Sequence, residues 1–530
     1  MSVLIFLIIY YILLSISLYK VFEKAGQPAI HALIPGLNFM TWCKIIGRPQ
    51  WWAFLLLLPI VNIFILAGMN VDMVRSFGKN SFFDAALAVI YAPISYFMIG
   101  ANKEAKYLGP AIIMEKAYME QIRTAKEQNE EREYKKLVHN NPYKKGAGRE
   151  WAEAIIFAVF AAAFIRMFLI EAFVIPTSSM EGSLLVGDFL FVSKAHYGIR
   201  TPMTVLQVPL VHNTIPFIGT ESYTKKPSLG YHRLPSIENI NRNNPVVFNY
   251  PAGDTTIVGP DRNYSLEDLR RYKRLSRPEY RNLEPRVRPI DKRDHYIKRC
   301  IALPGDKIEI KAKQVYINDQ PAVNPSKLQY KYLLKLNGAS IRNEKLEEWG
   351  VSLAETRHPQ NQGDERLYAL NSEQVEQIKG MDPKYTLTPV PGKPYTPDSL
   401  FPHDPQNFPG WTNDDYGPLT IPKAGATVTI TPNNIELYRR VITAYEGHTL
   451  SIQNGRILID GQQTTSYTFA QDYYWMMGDN RHNSEDSRVW GYVPADHIVG
   501  KPLFIWFSTK NGNIRNGVNW SRIFSSANKM

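Results

Sequence analysis

At roughly 150 residues per domain, the 530 residues of this chain predict three or four folding units. Ordinary glycine and proline contents exclude a collagen-like or low-complexity chain, and two cysteines, Cys43 and Cys300, exclude a disulfide-stapled fold. The formal charge of +12 favours a nucleic acid or an anionic membrane surface as partner, and the mean hydropathy of −0.25, typical of a soluble protein, averages over unlike segments.

Four apolar stretches in the first third of the chain predict transmembrane helices, at residues 3–19, 51–68, 82–100 and 151–173. The first lacks the basic leader and small-residue exit of a cleaved signal peptide, so we expect a retained anchor. Residues 28–46 are interrupted by Pro35 and Gly36 and are not counted as a span. The sequence therefore predicts a membrane region with three transmembrane helices over residues 1–100, a charged helical linker at 101–150, and a fourth transmembrane helix at 151–173.

The orientation follows from the basic residues that precede the fourth stretch, among them Lys144, Lys145 and Arg149. Because cytoplasmic loops are enriched in lysine and arginine, residues 101–150 are expected in the cytoplasm. Counting back, residues 20–50 are expected inside, and residues 69–81 and the N-terminus outside. Everything after residue 173 is then exported, and Cys43 and Cys300 should not pair.

The exported part has the pattern of a mainly β protein. Short β-branched and aromatic runs end at glycine, proline, asparagine or aspartate, which is typical of an antiparallel sheet or barrel. This β domain is expected in two parts, residues 174–324 and 423–530. An arginine-rich insertion at 261–293, with helical potential at 266–275, interrupts the first part. An α+β insertion subdomain at 325–422 separates the two parts, and Asn371 or Ser372 is expected to cap one of its helices.

Three polar stretches of the exported part carry candidate chemistry: IPTSSME at residues 175–181, YIKRCIALPGD at 296–306, and GDNRHNSEDSR at 478–488. The first alone is also compatible with an ordinary turn. In the second, Lys298 lies inside an apolar run, where it either points outward or is desolvated. A desolvated lysine has a lowered pKa and can act as a general base near neutral pH. The third is unusually rich in side chains that can bond one another.

Together these stretches resemble the type I signal peptidases, membrane serine endopeptidases that cleave exported preproteins. The resemblance extends through EAFVIP before the serines, GDFLFVSK from Gly187, NPVVF from Asn244, and WGYVP from Trp490. It covers about half of the exported region, and neither residues 1–100 nor most of 311–420. It implies N-terminal transmembrane helices followed by an exported antiparallel β-sheet or barrel catalytic domain with an α+β insertion.

The resemblance also implies roles for individual residues. Ser179 matches the nucleophile, Lys298 the general base, and the N–H of Ser179 with the hydroxyl of Thr177 the donors to the oxyanion. The matched supporting residues are Ser484, which orients the lysine, Gly478, which leaves room beside the dyad, and the ion pairs Asp479 with Arg299 and Asp486 with Arg488. The matched substrate-pocket residues are Phe173, Ile175, Met180 and Ile297. His482 stands where aspartate is common and is interpreted as a neutral loop substitution.

The resulting hypothesis is a multi-pass enzyme of the bacterial inner (plasma) membrane with an extracytoplasmic catalytic domain. It removes signal peptides from preproteins after small residues of the Ala-x-Ala type, and it needs no metal, nucleotide or other cofactor. The bilayer, including anionic headgroups, is an expected partner, and nucleic acid is not. Its C-terminal aromatics either pack as core and edge-strand residues or contact the membrane: Trp506, Phe507, Trp520 and Phe524.

Two alternatives were weighed. A different Ser-Lys acyltransferase, of the penicillin-binding type, requires Ser-x-x-Lys at its nucleophile and a Lys-Thr-Gly motif, and neither accompanies Ser179. A catalytically inactive, signal-peptidase-like membrane scaffold is disfavoured by the complete set of dyad, oxyanion and orienting residues. The sequence predicts neither the oligomeric state nor the role of the N-terminal spans or of the 325–422 insertion.

Overall fold

The structure is a computed structural model, and it divides into two compact units, Met1–Ala158 and Val159–Met530. The described residues are 2–57, 61–251, 285–351, 363–392 and 399–528, together with 253, 255–258, 263–265 and 269. Most of the predicted arginine-rich insertion at 261–293, including nearly all of its expected helix at 266–275, lies outside the described residues.

The N-terminal unit is helical. Its α-helices are α1 (Ser2–Lys24), α2 (Leu37–Ile46), α3 (Trp52–Leu55), α4 (Val61–Ser76), α5 (Phe82–Ala101), α6 (Ala111–Glu127) and α7 (Glu131–His139), followed by the start of α8 (Ala147–Phe168). Buried side chains of α1, α2, α4 and α5 form one apolar core, in which the Trp42 and Tyr96 rings meet edge to face. Among the described residues, two helices are long and apolar enough to cross a membrane, α5 and α8.

Two of the predicted spans differ from a single helix: the stretch at 51–68, and the stretch at 151–173, which is helical only to Phe168 and continues as a strand from Ile170. The stretch at 3–19 folds within α1, but the stretch at 51–68 is divided between α3 and the first half of α4, and residues 58–60 lie outside the described part. α4 then continues to Ser76, through Asn70 and Asp72. The polar residues Asn70 and Asp72 of its C-terminal half are buried inside the helical unit, where Tyr96 donates a hydrogen bond to Asn70.

The predicted placement of residues 69–81 on the far side of the membrane from 20–50 and 101–150 is wrong. Arg48 pairs with Asp72 at 2.9 Å, and Arg75 pairs with Glu115 at 2.6 Å. Side chains in such contact cannot lie on opposite sides of a hydrocarbon layer about 30 Å thick. The expectation failed because it counted residues 51–68 as one membrane span, whereas the chain divides them between α3 and α4.

The C-terminal unit is built on antiparallel strands. Those of the main sheet are β1 (Ile170–Val174), β2 (Asp188–Ser193), β3 (Pro245–Asn249), β7 (His295–Ala302), β20 (Tyr473–Met477), β21 (Val493–Pro494) and β22 (Ile498–Ser508). Their order across the sheet is β1-β2-β22-β3-β7-β20-β21. β22 therefore joins the β1-β2 hairpin to β3 and β7. The expected antiparallel, β-rich fold is confirmed, whereas closure into a barrel stays a prediction.

The remaining strands form smaller sheets. They are β4 (Thr255–Val258), β5 (Asn263–Ser265), β6 (Pro285–Val287), β8 (Lys307–Lys311), β9 (Gln314–Ile317), β10 (Gln320–Pro321), β11 (Tyr330–Lys335), β12 (Glu365–Leu370), β13 (Thr386–Pro389), β14 (Tyr416–Thr420), β15 (Thr427–Thr429), β16 (Leu450–Gln453), β17 (Arg456–Ile459), β18 (Gln462–Gln463) and β19 (Ser466–Thr468). The short helices are α9 (Asn343–Glu348), α10 (Ser372–Lys379), α11 (Ile435–Arg440) and α12 (Ser487–Trp490).

The 325–422 region contains a small α+β layer with its own core. β12, β11 and β13 form a three-stranded sheet, and α9 and α10 cover it with apolar residues such as Leu346 and Ile378. Asn371, one of the two expected caps, closes the start of α10 in a reciprocal capping box with Gln374. β14 pairs with β8 instead, so the end of this region belongs to the four-stranded sheet β10-β9-β8-β14.

Candidate active site

Ser179 lies between β1 and β2, in a single 3-10 turn at Ser178–Met180. Ile175 and Met180 anchor the turn, because they are buried in an apolar cluster with residues of β2, β3 and β22. The turn is fixed from the side by Asn480, whose backbone N–H donates to the Ser179 carbonyl at 3.1 Å. Ser179 is thereby held at 9% exposure.

Lys298 lies on β7, between β3 and β20 in the middle of the sheet, and it is 3% exposed. Its Nζ contacts Ser179 Oγ at 2.6 Å and donates to the Ile297 carbonyl at 3.0 Å. Burial lowers the pKa of this lysine to about 8, against the opposing effect of the nearby Asp486, Glu485 and Asp479 carboxylates. Of the two interpretations of this lysine, the structure shows the desolvated one.

The lowered pKa decides what the pair can do. When Lys298 is charged, its ammonium donates to Ser179 Oγ. When it is neutral, the nitrogen lone pair can accept the serine proton, which is the requirement for a general base. A base with a pKa near 8 is populated in its neutral form at ordinary pH, as an exposed lysine is not.

Residues 478–488, named here the catalytic-side loop, pack against the dyad. A Cβ on Gly478 would approach Ser484 Oγ at 2.2 Å and the Ser179 carbonyl oxygen at 2.4 Å, so only glycine fits. Ser484 therefore lies beside the dyad, where its hydroxyl interacts with the Asp486 carboxylate, and the hydrogen bonds of Lys298 do not include it. The implied bond from Ser484 to the lysine is thus not formed in this conformation.

Both implied ion pairs are formed and buried. Arg299 Nε donates to Asp479 at 2.8 Å, and Arg488 Nε donates to Asp486 at 2.9 Å. Asp486 also accepts the backbone N–H of Gly478 at 3.0 Å. The first pair links the catalytic-side loop to β7, and the second lies within the loop. Both carboxylates still favour the charged form of the lysine, but burial outweighs them.

An apolar cavity of about 330 Å³ opens beside Ser179 and Lys298. All four expected pocket residues line it, as does Thr177, whose side chain is exposed to solvent there. The sequence reasoning missed further lining residues from neighbouring strands: Leu190, Val247, His295 and Tyr296. These residues lie on β2, β3 and β7, and the sequence gave no indication of which face of the sheet borders the cavity.

The interpretation of His482 as a neutral substitution misses its structural role. The ring is 3% exposed; its Nε2 contacts Asp414 at 2.6 Å, and its Nδ1 accepts the Lys331 N–H at 3.3 Å. A proton on Nε2, donated to Asp414, satisfies both contacts. Asp414 and Lys331 are both in the 325–422 region, so His482 connects that region to the catalytic-side loop.

Ser178 has a role that the motif did not indicate. Its hydroxyl accepts a hydrogen bond from Asn483 at 2.8 Å, and its carbonyl accepts one from Asn480 at 3.3 Å. Both asparagines are in the catalytic-side loop. The residue before the nucleophile is therefore tied to the loop that packs on the lysine.

The family model described as "Signal peptidase, peptidase S26" matches residues 148–377 and 463–507, which include every site residue named above except Asp414. The chain belongs to this family. Membership of this family identifies the chain as a serine endopeptidase. In the described residues no cluster of three or more histidine, cysteine or carboxylate side chains could hold a metal ion.

Several curated proteins similar to this member of the signal peptidase family carry the name signal peptidase I. That of Buchnera aphidicola from Acyrthosiphon pisum is 24% identical over 72% of this chain and 84% of its own length. Those of Rickettsia massiliae and Helicobacter pylori strain J99 are each 23% identical, over 69% and 71% of this chain and 82% and 90% of their own lengths. A separate family model, of a family of unknown function (DUF5684), matches residues 30–110.

Proposed function

We propose that this chain is a membrane-bound serine endopeptidase that removes N-terminal signal peptides from exported preproteins, with Ser179 as nucleophile and Lys298 as general base. The observation that carries the proposal is the 2.6 Å contact between Ser179 Oγ and the nitrogen of a buried lysine whose pKa is lowered to about 8. The family membership and the name of the relatives support the substrate class.

In the proposed reaction, neutral Lys298 takes the proton of Ser179 as Oγ attacks the carbonyl carbon of the scissile bond. The oxyanion that forms accepts hydrogen bonds from the Ser179 N–H and the Thr177 hydroxyl. The lysine ammonium then gives its proton to the departing amine, and the C–N bond breaks, leaving an acyl-serine. In the second half, Lys298 accepts a proton from the water that attacks the ester, and it returns this proton to Ser179 Oγ as the C–Oγ bond breaks.

The apolar lining of the cavity supports cleavage after small apolar residues. Phe173, Ile175, Met180 and Ile297 line a space of about 330 Å³ next to the nucleophile. Among the described lining residues, only the dyad lysine and Asp294 carry charge, so an apolar side chain such as alanine is favoured there, and an extended peptide can lie beside β1. We therefore infer an Ala-x-Ala preference.

The proposed location is the bacterial inner membrane, as a multi-pass protein with an extracytoplasmic catalytic domain. α8 is one of the two candidate spans and leads directly into β1, so the serine follows its membrane anchor closely. Trp520 and Phe524 are 76% and 78% exposed, and Trp506 is 37% exposed. Exposed aromatics at the end of the chain suit contact with the bilayer interface and its anionic headgroups.

The test is cleavage of a preprotein whose signal peptide ends in Ala-x-Ala by the full chain in detergent. Ser179→Ala and Lys298→Ala are expected to reduce cleavage to background, since nucleophile and base are each lost. Matched controls are Ser340→Ala and Lys311→Ala, both at exposed positions, which should keep full activity. Full activity of either dyad variant would contradict the mechanism.

The same assay separates the alternatives. An inactive scaffold leaves the preprotein intact under all conditions. A Ser-Lys acyltransferase transfers the acyl group to an added amine in preference to water, which mass spectrometry of the released signal peptide detects as an amide.

A further inference from the structure

Between β2 and β3 the chain forms a long two-armed loop, residues 200–233, named here the apolar hairpin. Its arms are held together by bridges between Arg200 and Arg233, Thr204 and Ser228, Gln207 and Tyr223, and Thr214 and Glu221. At the tip, the Ile215 N–H donates to Thr220 and the Gly219 N–H donates to Ile215. The base is tied to the main sheet, because Arg233 donates to the Ile498 carbonyl at 2.7 Å. The apolar hairpin is therefore a defined structural element.

The composition of this element is unusual for a surface. Residues 201–220 contain no lysine, arginine, aspartate or glutamate, in a chain in which 21% of residues are charged. Several of its apolar side chains are exposed: Val205, Leu206, Val208, Leu210, Phe217 and Ile218. Phe217 is fully exposed and Ile218 is 68% exposed. A concentration of exposed apolar side chains without charged neighbours in sequence marks contact with a partner or a membrane.

The position of the apolar hairpin indicates whether its exposed surface contacts a protein partner or a membrane. Arg166, in the last turn of α8, donates to the Leu210 carbonyl at 2.7 Å. Ala163 and Met167 of α8 line one cleft together with Leu210, Val211 and His212 of the hairpin. The middle of the hairpin thus lies at the level of the last turn of α8, and the tip extends from there.

The side chains of α8 indicate which part of the helix is expected to lie in the bilayer. α8 has no buried residue, and it exposes large apolar side chains such as Phe157 and Phe160. Arg166 at its end is suited to the headgroup level of a bilayer. The return arm of the hairpin carries exposed Lys225 and Lys226, which suit anionic headgroups.

We propose that the tip of the apolar hairpin, at Phe217 and Ile218, inserts into the leaflet from which α8 emerges. The tip then gives the catalytic unit a second membrane contact beside α8 and fixes its tilt on the surface. This inference rests on the proposed membrane anchoring by α8. The occupant is the lipid bilayer, because the exposed apolar surface continues from the end of a membrane helix and is flanked by cations.

The direct test places a nitroxide label on the full-length enzyme in vesicles of phosphatidylethanolamine and phosphatidylglycerol. Labels at Phe217→Cys and Ile218→Cys are expected to collide more often with dissolved oxygen than with a water-soluble nickel complex. Val323→Cys is the matched control, since Val323 is apolar and 79% exposed but lies beside Asn243, outside the hairpin. Its label should favour the nickel complex. Cys43 and Cys300 are buried, and the unsubstituted chain gives the background labelling.

Three results would overturn the proposal. Labels at Phe217 and Ile218 as accessible to nickel as the Val323 label would show that the tip is in water. Protection from nickel only after a preprotein is added would assign the surface to substrate. Spin–spin broadening that grows with the protein-to-lipid ratio would assign it to a second copy of the chain.

A functional test separates this inference from the proposed function. Phe217→Asn with Ile218→Ser should slow cleavage of a vesicle-embedded preprotein roughly tenfold, and leave cleavage of a short peptide in detergent unchanged. Asparagine is chosen because Phe217 has a φ of 68°, which asparagine tolerates. Val323→Asn is the control. An unchanged vesicle rate would overturn the surface-fixing role, whereas loss of peptide cleavage in the unsubstituted enzyme would overturn the proposed function instead.

Discussion

Lys298 can act as a base because its amine has no charged hydrogen-bond partner among the described residues. Its two contacts, Ser179 Oγ and the Ile297 carbonyl, are both uncharged. Two of the three carboxylates that favour its charged form are paired with arginines, Asp479 with Arg299 and Asp486 with Arg488. A buried ammonium without a charged partner at hydrogen-bond distance is destabilised, which is why the pKa of the lysine falls.

The first prediction concerns pH. Because only the neutral amine accepts the serine proton, kcat/KM for a peptide substrate should rise about tenfold per pH unit below about 8 and level off above it. The measurement is a rate profile from about pH 6 to about pH 9, with Lys298→Ala as the background control. A rate that stays constant across this range would show that Lys298 is not the titrating base.

The second prediction concerns stability. The pKa of Lys298 is lowered from 10.5 to about 8, so the folded state binds fewer protons than the unfolded state between these values, and stability rises with pH there. Below about 8 the destabilisation is complete. Lys298→Met should therefore be inactive yet more stable at neutral pH, by about 1–2 kcal/mol after the lost hydrogen bonds are subtracted.

The measurement is thermal unfolding of both proteins in detergent at about pH 7 and about pH 10. The methionine variant should melt higher at the lower pH, and its advantage should shrink at the higher one. A variant that melts lower at neutral pH would mean that the charged lysine is better solvated than its burial indicates.

At the scale of elements, the catalytic-side loop depends on the 325–422 region. The Gln329 N–H donates to the Asp479 carbonyl, and the Arg481 N–H donates to the Gln329 carbonyl, each at 2.9 Å. His482 adds the side-chain connection to Asp414 and Lys331. Residues of the 325–422 region, outside the main sheet, therefore hold the catalytic-side loop in place.

The third prediction tests that connection. A Cβ on Gly392 would lie 2.6 Å from His482 Nε2 and 2.7 Å from Asp414 Oδ1, so Gly392→Ala should separate the two side chains. We expect kcat to fall roughly tenfold with little change in KM, because the loop shifts while the substrate cavity stays intact. His482→Ala should behave alike, and Gly230→Ala, where a Cβ meets no close neighbour, is the control. A change confined to KM would place the effect on substrate binding.

The sequence predicted the parts of the site that short motifs carry. Ser179, Lys298, the two ion pairs and Gly478 lie together as expected, because each belongs to a stretch whose residues recur in one family. It could not predict the His482 contacts, since Asp414 and Lys331 come from a region outside the motifs. It also misplaced residues 69–81, because the partners of Asp72 and Arg75 are distant in sequence and apolar stretches reveal no pairing.

At the scale of the whole molecule, the residues of the candidate site all belong to the unit Val159–Met530. The helical unit before it has a separate apolar core, and its residues 30–110 match a family of unknown function. In the described residues, each unit thus has an apolar core of its own.

The fourth prediction follows from this division. A chain that begins at residue 145, and so keeps α8, should cleave a short peptide in detergent with kcat/KM within about twofold of the full chain. The comparison uses matched amounts of folded protein, with Ser179→Ala in the shortened chain as control. A shortened chain that folds but cleaves much more slowly would show that the helical unit contributes to the site.

The place of β22 in the main sheet has a consequence for the geometry of the dyad. Ser179 follows β1 and Lys298 lies on β7, and β22 is the strand through which the β1-β2 pair is hydrogen-bonded to β3 and β7. The alignment of nucleophile and base therefore depends on the register of a strand that carries neither residue.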